Sequence, residues 1–369
     1  MPKKVNVLLL YTRKDWSGIG SHGAVLAEGL MKKGINVVLG CPRGGKLYDQ
    51  AEALGVAVRD IRLKNLMDFA SWFRIIRVVR QDKINIICAN IGKEYWPLAV
   101  ICRAMGLKSV IIRHQMNKLK KLTNRLIAGD INKIIAVSAA VKRTLINSGI
   151  AEGKIEVIYN SVDIGRFDPD KAQRTDARAL VRAELGIAAD AIVIASVGRI
   201  TEDKGGLDLL YAFSDALGGF PNMRLVFAGE GTFQAVIEEH ARSLSLLERV
   251  HFTGYRGDVQ RIYAAADIVA VPTRGLESFG MTVIEAMAMG RPVIASNSGG
   301  MPEIITHGVN GLLFNPTDRE GLCACICELA ANPSLALWIA REGRKTVMER
   351  FSDDAFSDKF ARVLYNLML

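Results

Sequence analysis

Short apolar runs separated by helical periodicities set the rhythm of this chain. Residues 5–10 (Val-Asn-Val-Leu-Leu-Leu) carry almost no polar alternation, as expected of a parallel strand buried on both faces. A helix is predicted over 24–33, closed by Gly34, and a second strand over 35–39. Strand-sized runs recur at 84–87, 110–112 and 133–137, and again at 191–197, 224–228, 250–252, 268–271 and 292–295. Strands alternating with helices in this way predict an α/β protein with doubly wound parallel sheets. Between the two series, the polar, turn-rich residues 168–176 read as a linker. This divides the chain into a first domain over 1–167 and a second over 168–350. In the last segment, 351–369, Phe356, Phe360, Val363, Leu364 and Leu367 fall at helical spacing.

One stretch sets carboxylates among apolar residues. The strand 268–271 ends at Pro272 and is followed by Arg274-Gly-Leu-Glu277-Ser-Phe-Gly-Met-Thr-Val-Ile-Glu285. A short helix is predicted over 281–289, stopped by Gly290 and Pro292, with Ser278 near its N-terminus. Its free N–H groups and positive dipole end face whatever lies beside Phe279, Gly280 and Met281, which is an anion site. Glu277 and Glu285 bracket that site, about 12 Å apart along a helix. Glu285 sits in an otherwise apolar helix, where an unpaired carboxylate is costly. Two acceptor carboxylates around an anion site suit a ligand with hydroxyls on both sides of a diphosphate, the layout of a nucleotide-sugar. Upstream, Gly198-Arg199-Ile-Thr-Glu-Asp-Lys204-Gly205-Gly206 follows the strand 191–197. A permanent guanidinium and a mobile ammonium in a glycine-tolerant loop suit the same diphosphate. Gly229-Glu230-Gly231 and Thr253-Gly254-Tyr255 are turns after the next two strands.

Together these motifs resemble the family-4 retaining glycosyltransferases of the GT-B superfamily, the lipopolysaccharide-core type among them. Glu277-x7-Glu285 carries most of the likeness, supported by Gly299-Gly300-Met-Pro302-Glu303 and by Arg199 with Lys204; the resemblance covers nearly the whole chain. It implies two Rossmann-like domains facing across a cleft, an acceptor domain first and a donor domain second, with the last helix crossing back to the first. It also implies metal-independent transfer from a nucleotide diphosphate sugar, with no cofactor. Arg199 and Lys204 would hold the diphosphate, Glu277 the sugar and Glu285 the ribose. Gly198, Glu230, Tyr255, Ser278, Phe279, Gly280 and Met281 would surround the donor. His114, after the strand 110–112, resembles the family's first-domain histidine near the donor sugar. Ser17-Gly18-Ile-Gly20 stands where the family usually has Gly-Gly-x-Glu, and Asn160-Ser161 replaces the commoner Asn-Gly.

Other readings compete. Gly18-Ile-Gly20-Ser-His-Gly23 is literally G-x-G-x-x-G, the signature of an NADP-dependent oxidoreductase, with Arg43 suited to a 2′-phosphate. Its strand ends near Tyr11, however, seven residues before Gly18 instead of directly before it. A sugar-nucleotide epimerase on the same fold is a further alternative, and a phosphorylase fits less well with Arg199 and Lys204. Asp168-Pro-Asp170 resembles a metal motif but lies in the connector and reads as a turn, so no metal is expected.

Charge changes the picture of partners. The net charge is +10, yet residues 1–165 carry 27 Lys and Arg against 12 Asp and Glu, and the rest 21 against 26. A basic first half points to an anionic partner, with a cell-envelope glycolipid acceptor favoured. Residues 116–127 form a basic amphipathic segment of the kind that lies on an anionic membrane; residues 67–80 also mix apolar and basic positions, which core packing explains equally well. No nucleic-acid motif is present. No apolar run approaches the roughly 18 residues of a membrane span, and the h-region at the N-terminus is too short for a signal peptide. These features predict a cytoplasmic protein, peripheral at the inner membrane. The six cysteines follow no disulfide or zinc spacing and read as core residues.

Overall fold

The computed structural model describes residues 4–13, 18–174 and 176–369. The chain forms two compact units, Met1–Ser161 with Asp353–Leu369, and Val162–Ser352. These limits lie a few residues from the boundaries read at 167/168 and 350/351.

The first unit is built on β1 (Asn6–Leu10), β2 (Asn36–Cys41), β3 (Ala57–Asp60), β4 (Ile86–Ala89), β5 (Lys108–Arg113), β6 (Lys133–Ala136) and β7 (Ile155–Val157). All pair in parallel in the order β3-β2-β1-β4-β5-β6-β7, with Leu8 beside Val38 on one side and Ile87 on the other. Val7 to Leu10 are fully buried, which explains their unbroken apolar run. The second unit carries β8 (Ile192–Val197), β9 (Met223–Ala228), β10 (Val250–Phe252), β11 (Ile268–Val271), β12 (Val293–Ser296) and β13 (Leu312–Phe314). Its order is β10-β9-β8-β11-β12-β13, again all parallel. Its core joins Leu209, Phe213, Leu225, Phe227, Ile294 and Ile326 between sheet and helices.

The doubly wound α/β architecture is therefore the one expected, with local corrections. The sequence pattern misses β3, β7 and β13, and all three are edge strands of three or four residues. β3 and β7 carry Arg59, Asp60 and Glu156 at a sheet edge, and β13, though apolar, is only three residues long. The glycine-rich stretch read as a loop is helical from Gly18, in a helix running Gly18–Lys32. Ser17, read together with Gly18 and Gly20, lies outside the described residues. A side chain at Gly23 would come within 3.0 Å of the Tyr11 ring, so glycine here serves close helix–strand packing. The connector read as a linker over 168–176 is helical over Pro169–Arg174, and helix Ala177–Glu184 follows it. Asp168 Oδ1 accepts from Asp170 N at 3.0 Å, so the literal D-x-D opens a helix.

The helix Asp353–Asn366 belongs to the first unit, packed on helix Gly18–Lys32. Lys33 Nζ pairs with Asp358 at 2.7 Å, and the Tyr365 hydroxyl donates to the Lys33 carbonyl. Among the described residues no single helix is long and apolar enough to cross a membrane.

Candidate active site

In a doubly wound sheet, ligands bind beyond the strand C-termini, at the point where the winding reverses. In the second unit that point lies between β8 and β11. The loop after β8 carries Gly198, Arg199 and Lys204; the loop after β11 carries Glu277 to Gly280 and leads into helix Met281–Ala288.

The loops are fastened backbone to backbone. Gly300 N donates to the Glu277 carbonyl at 2.8 Å, and Arg274 N to the Asp203 carbonyl at 2.9 Å. Gly299 has φ +60°, and a Cβ there would meet the Glu277 carbonyl oxygen at 1.9 Å, so only glycine lets the loop after β12 lie on the glutamate's backbone. The Arg274 guanidinium clamps Asp208 through two bonds of 2.6 and 2.5 Å. Within this frame Lys204 Nζ and Glu277 Oε2 meet at 2.6 Å, both side chains partly exposed. The cation assigned to a diphosphate and the carboxylate assigned to a sugar thus neutralise each other. Arg199 stands exposed in the same loop.

Helix Met281–Ala288 starts without a side-chain cap. Its N-cap is Gly280, in left-handed backbone with φ 115°, two residues after Ser278. The Phe279 ring is buried against Phe351, at a centroid distance of 5.7 Å. Thr282 Oγ1 donates to the Val197 carbonyl at 3.4 Å, tying the helix start to the end of β8. Glu285, one turn further, accepts from the Tyr263 hydroxyl at 2.8 Å. Burial pushes its pKa up to about 7, although the Tyr263 bond and the charge of Arg166 pull the other way. Part of its surface still reaches solvent, so the carboxyl is shielded but accessible. Tyr263 and Arg166 are invisible to motif reading, since neither belongs to the Glu-x7-Glu stretch. The turns after β9 and β10 also join: Glu230 Oε1 accepts from Tyr255 N at 3.3 Å, and Gly229 bridges to Gly254. The Tyr255 ring itself stands in solvent.

The first unit repeats the arrangement between β1 and β4. A cavity of about 330 Å³ lies beyond these strands and β5, lined by Arg13, Asn90, Lys93, Arg113, His114 and Gln115. His114 Nε2 lies 3.3 Å from Asn90 Oδ1. Gly18 and Gly20 stand in the opening turn of helix Gly18–Lys32, so they are not a phosphate loop following directly on β1. Beneath the cavity lies Glu94, which sequence reasoning missed. Its carboxylate is fully buried and accepts from Thr12 N and Oγ1 at 2.7 Å, Asn90 N at 2.8 Å and Ile91 N at 3.1 Å. Burial raises its pKa, and the four donors act against the rise. Glu94→Gln would turn an amide NH₂ toward two of these donors and should cost about 2 kcal/mol of stability, measured by urea unfolding. A loss below about 0.5 kcal/mol would remove Glu94 as the fastening of these loops.

Comparison with known proteins bears on both units. Residues 16–166 match the family model described as Glycosyltransferase Family 4, and residues 177–346 the model described as Glycosyl transferases group 1. An uncharacterised glycosyltransferase of Methanocaldococcus jannaschii is 27% identical, over 96% of this chain and 95% of its own length. A lipopolysaccharide core biosynthesis glycosyltransferase of Rhizobium meliloti is 31% identical over 57% of this chain, a match spanning 58% of that protein. The crystal structure of Anabaena HepE in complex with UDP superposes with a TM-score of 0.86 at 22% identity, covering 98% of this chain and all of that one.

Proposed function

The chain belongs to the family-4, group-1 glycosyltransferases of the GT-B fold, and from that premise we propose that it moves a sugar from a UDP-sugar donor to a hydroxyl of an anionic cell-envelope glycolipid. The carrying observation is the Lys204–Glu277 pair at the reversal point of the second sheet, just ahead of the uncapped start of helix Met281–Ala288. A diphosphate entering there draws Lys204 away from Glu277. Lys204, Arg199 and the helix N–H groups then face the phosphate oxygens and stabilise the charge that grows on the leaving group, the task a metal ion performs in other transferases. Glu277, released, accepts from hydroxyls of the donor sugar, and Glu285 from the ribose. No side chain is assigned the role of nucleophile. The departing phosphate oxygen takes the acceptor proton on the face it leaves, so anomeric configuration is retained.

The acceptor is assigned to the first-unit cavity. Arg13, Lys93 and Arg113 favour an anionic headgroup there, and His114 contributes a hydrogen-bonding edge. The named activity of the R. meliloti relative and the UDP in HepE support this choice of substrates. Nucleotide-sugars are cytoplasmic metabolites, so the enzyme is placed on the cytoplasmic side of the membrane.

Thermal denaturation with UDP, GDP, ADP and NADP, with and without magnesium, tests the donor reading. UDP alone should raise Tm by several degrees, unchanged by magnesium. A rise with NADP and none with any nucleoside diphosphate would sink it.

A further inference from the structure

The last helix leaves a space beside the edge of the first sheet. Helix Asp353–Asn366 buries Phe356, Phe360, Ala361 and Leu364 in the first unit. Lys359, Arg362, Val363 and Asn366 fall at i, i+3, i+4 and i+7, a single stripe along the same helix. With the edge strand β7 this stripe lines a cavity of about 440 Å³, larger than the one of about 330 Å³ beyond β1, β4 and β5. Lys133 opens β6, so the cavity begins at the N-terminal ends of the strands, away from the C-terminal ends that carry the candidate site.

Its walls differ in chemistry. Val157, Ile158, Val363 and Leu367 give it an apolar side. Lys133, Lys359 and Arg362 set three cations against one acid, Glu156. Glu156 lies 3.3 Å from Lys133 Nζ, which also donates to the Gly153 carbonyl at 3.2 Å. Lys359 and Arg362, one turn apart, pair with no carboxylate among the described residues. The acids around them are engaged elsewhere: Asp358 with Lys33, Asp130 with Arg103 and Glu152 with Lys142. Long cationic stems often cover apolar surface, but here they leave the apolar side open as a cavity. Adjacent like charges over an apolar hollow are complementary to an anion that carries an apolar body.

We propose that this cavity binds a small organic phosphate, with the phosphate held by Lys359, Arg362 and Lys133 and the apolar body lying on Val157, Ile158, Val363 and Leu367. A guanidinium beside two ammonium groups matches a dianionic phosphate better than a singly charged carboxylate. A bound ligand ties the stretch Asp353–Leu369 to the sheet edge, so it also stabilises the docked helix. The proposal does not rest on the sugar-transfer reading, because none of these residues belongs to the loops or the cavity assigned to its substrates.

Calorimetric titration of the full chain with phenyl phosphate, inorganic phosphate and benzoate is the test. Phenyl phosphate supplies both the dianion and an apolar ring; inorganic phosphate lacks the ring, and benzoate lacks the second charge. Wild type should bind phenyl phosphate saturably and at least tenfold more tightly than either of the others. Both cationic heads are exposed, so Lys359→Ala/Arg362→Ala should keep its ligand-free Tm and lose at least tenfold in affinity. Glu156→Gln removes the acid and releases Lys133, so it should bind about tenfold more tightly, a gain that misfolding cannot produce. Lys204→Met should bind phenyl phosphate as wild type does, which separates this cavity from the donor site. No saturable binding by wild type, affinity held within twofold by the folded double variant, or loss of binding in Lys204→Met would overturn the proposal. So would benzoate binding as tightly as phenyl phosphate.

Discussion

Replacing Lys204 with methionine is expected to lower kcat/KM for the donor by about a thousandfold, roughly 4 kcal/mol of lost transition-state stabilisation. Methionine keeps most of the length of the side chain and removes the charge. In this structure the ammonium lies 2.6 Å from Glu277, and the substitution has a second effect: it strands that carboxylate. The double variant Lys204→Met/Glu277→Gln should therefore regain stability relative to the single one and regain no turnover. Glu277→Gln alone should behave differently again. It frees the ammonium for phosphate, so UDP binds at least as well as to wild type, while sugar transfer collapses. Steady-state kinetics with calorimetric UDP titration separates the three cases. If Lys204→Met retained kcat/KM within fivefold, the diphosphate would have to be held elsewhere.

Glu285→Gln should make the enzyme sturdier and worse at binding nucleotide. The sign follows from the carboxyl's pKa, about 7 in the folded protein against an ordinary 4.5. Between those values the folded state holds a proton that the unfolded state has released, so stability falls as pH rises through this window. Above pH 7 the penalty levels off at about 3 kcal/mol, at 1.36 kcal/mol per pH unit. Glutamine still accepts from Tyr263 and never ionises. The variant should match wild type near pH 4.5 and exceed it in Tm at pH 8, a comparison made by scanning calorimetry at both pH values. Its affinity for UDP at pH 8 should drop roughly thirtyfold, about 2 kcal/mol, if the ionised carboxylate accepts from the ribose hydroxyls. Wild-type affinity should also climb between pH 6 and pH 8, and the variant's should not. Unchanged UDP affinity in the variant would remove Glu285 from the nucleotide site, whatever its Tm.

What could be read from the sequence follows from how local the determinants are. Interior strands such as Asn6–Leu10 and Ile192–Val197 are buried on both faces and betray themselves by composition alone. Ala57–Asp60 carries Arg59 and Asp60 on a sheet edge, and no pattern of four residues separates that from a loop. The candidate site loops after β8 and β11 were legible because glycines and prolines must punctuate loops that lie backbone on backbone, and Glu277 and Glu285 are spaced within one such unit. Their partners were not. The Lys204–Glu277 contact joins residues 73 apart, Glu94 reaches Thr12 across 82, and Tyr263 reaches Glu285 from a helix with no signature of its own. The basic, apolar segment 67–80 was legible as such, but only the fold shows which of its side chains face outward. The segment 116–127 was expected to be one amphipathic stretch and is helical only from Lys121.

The path of the chain through its two units has a consequence for how the protein is made. Val162–Ser352 is one uninterrupted stretch, whereas the first unit is completed only by Asp353–Leu369. During synthesis the unit begun first is therefore finished last. Its seven-stranded sheet can form early, but the face of helix Gly18–Lys32 that receives helix Asp353–Asn366 stays uncovered until that later helix has been made. The nascent chain thus carries a bare apolar flank while the second unit emerges and closes. Premature termination anywhere in the second unit strands the first in that state, a ready substrate for chaperones and proteases.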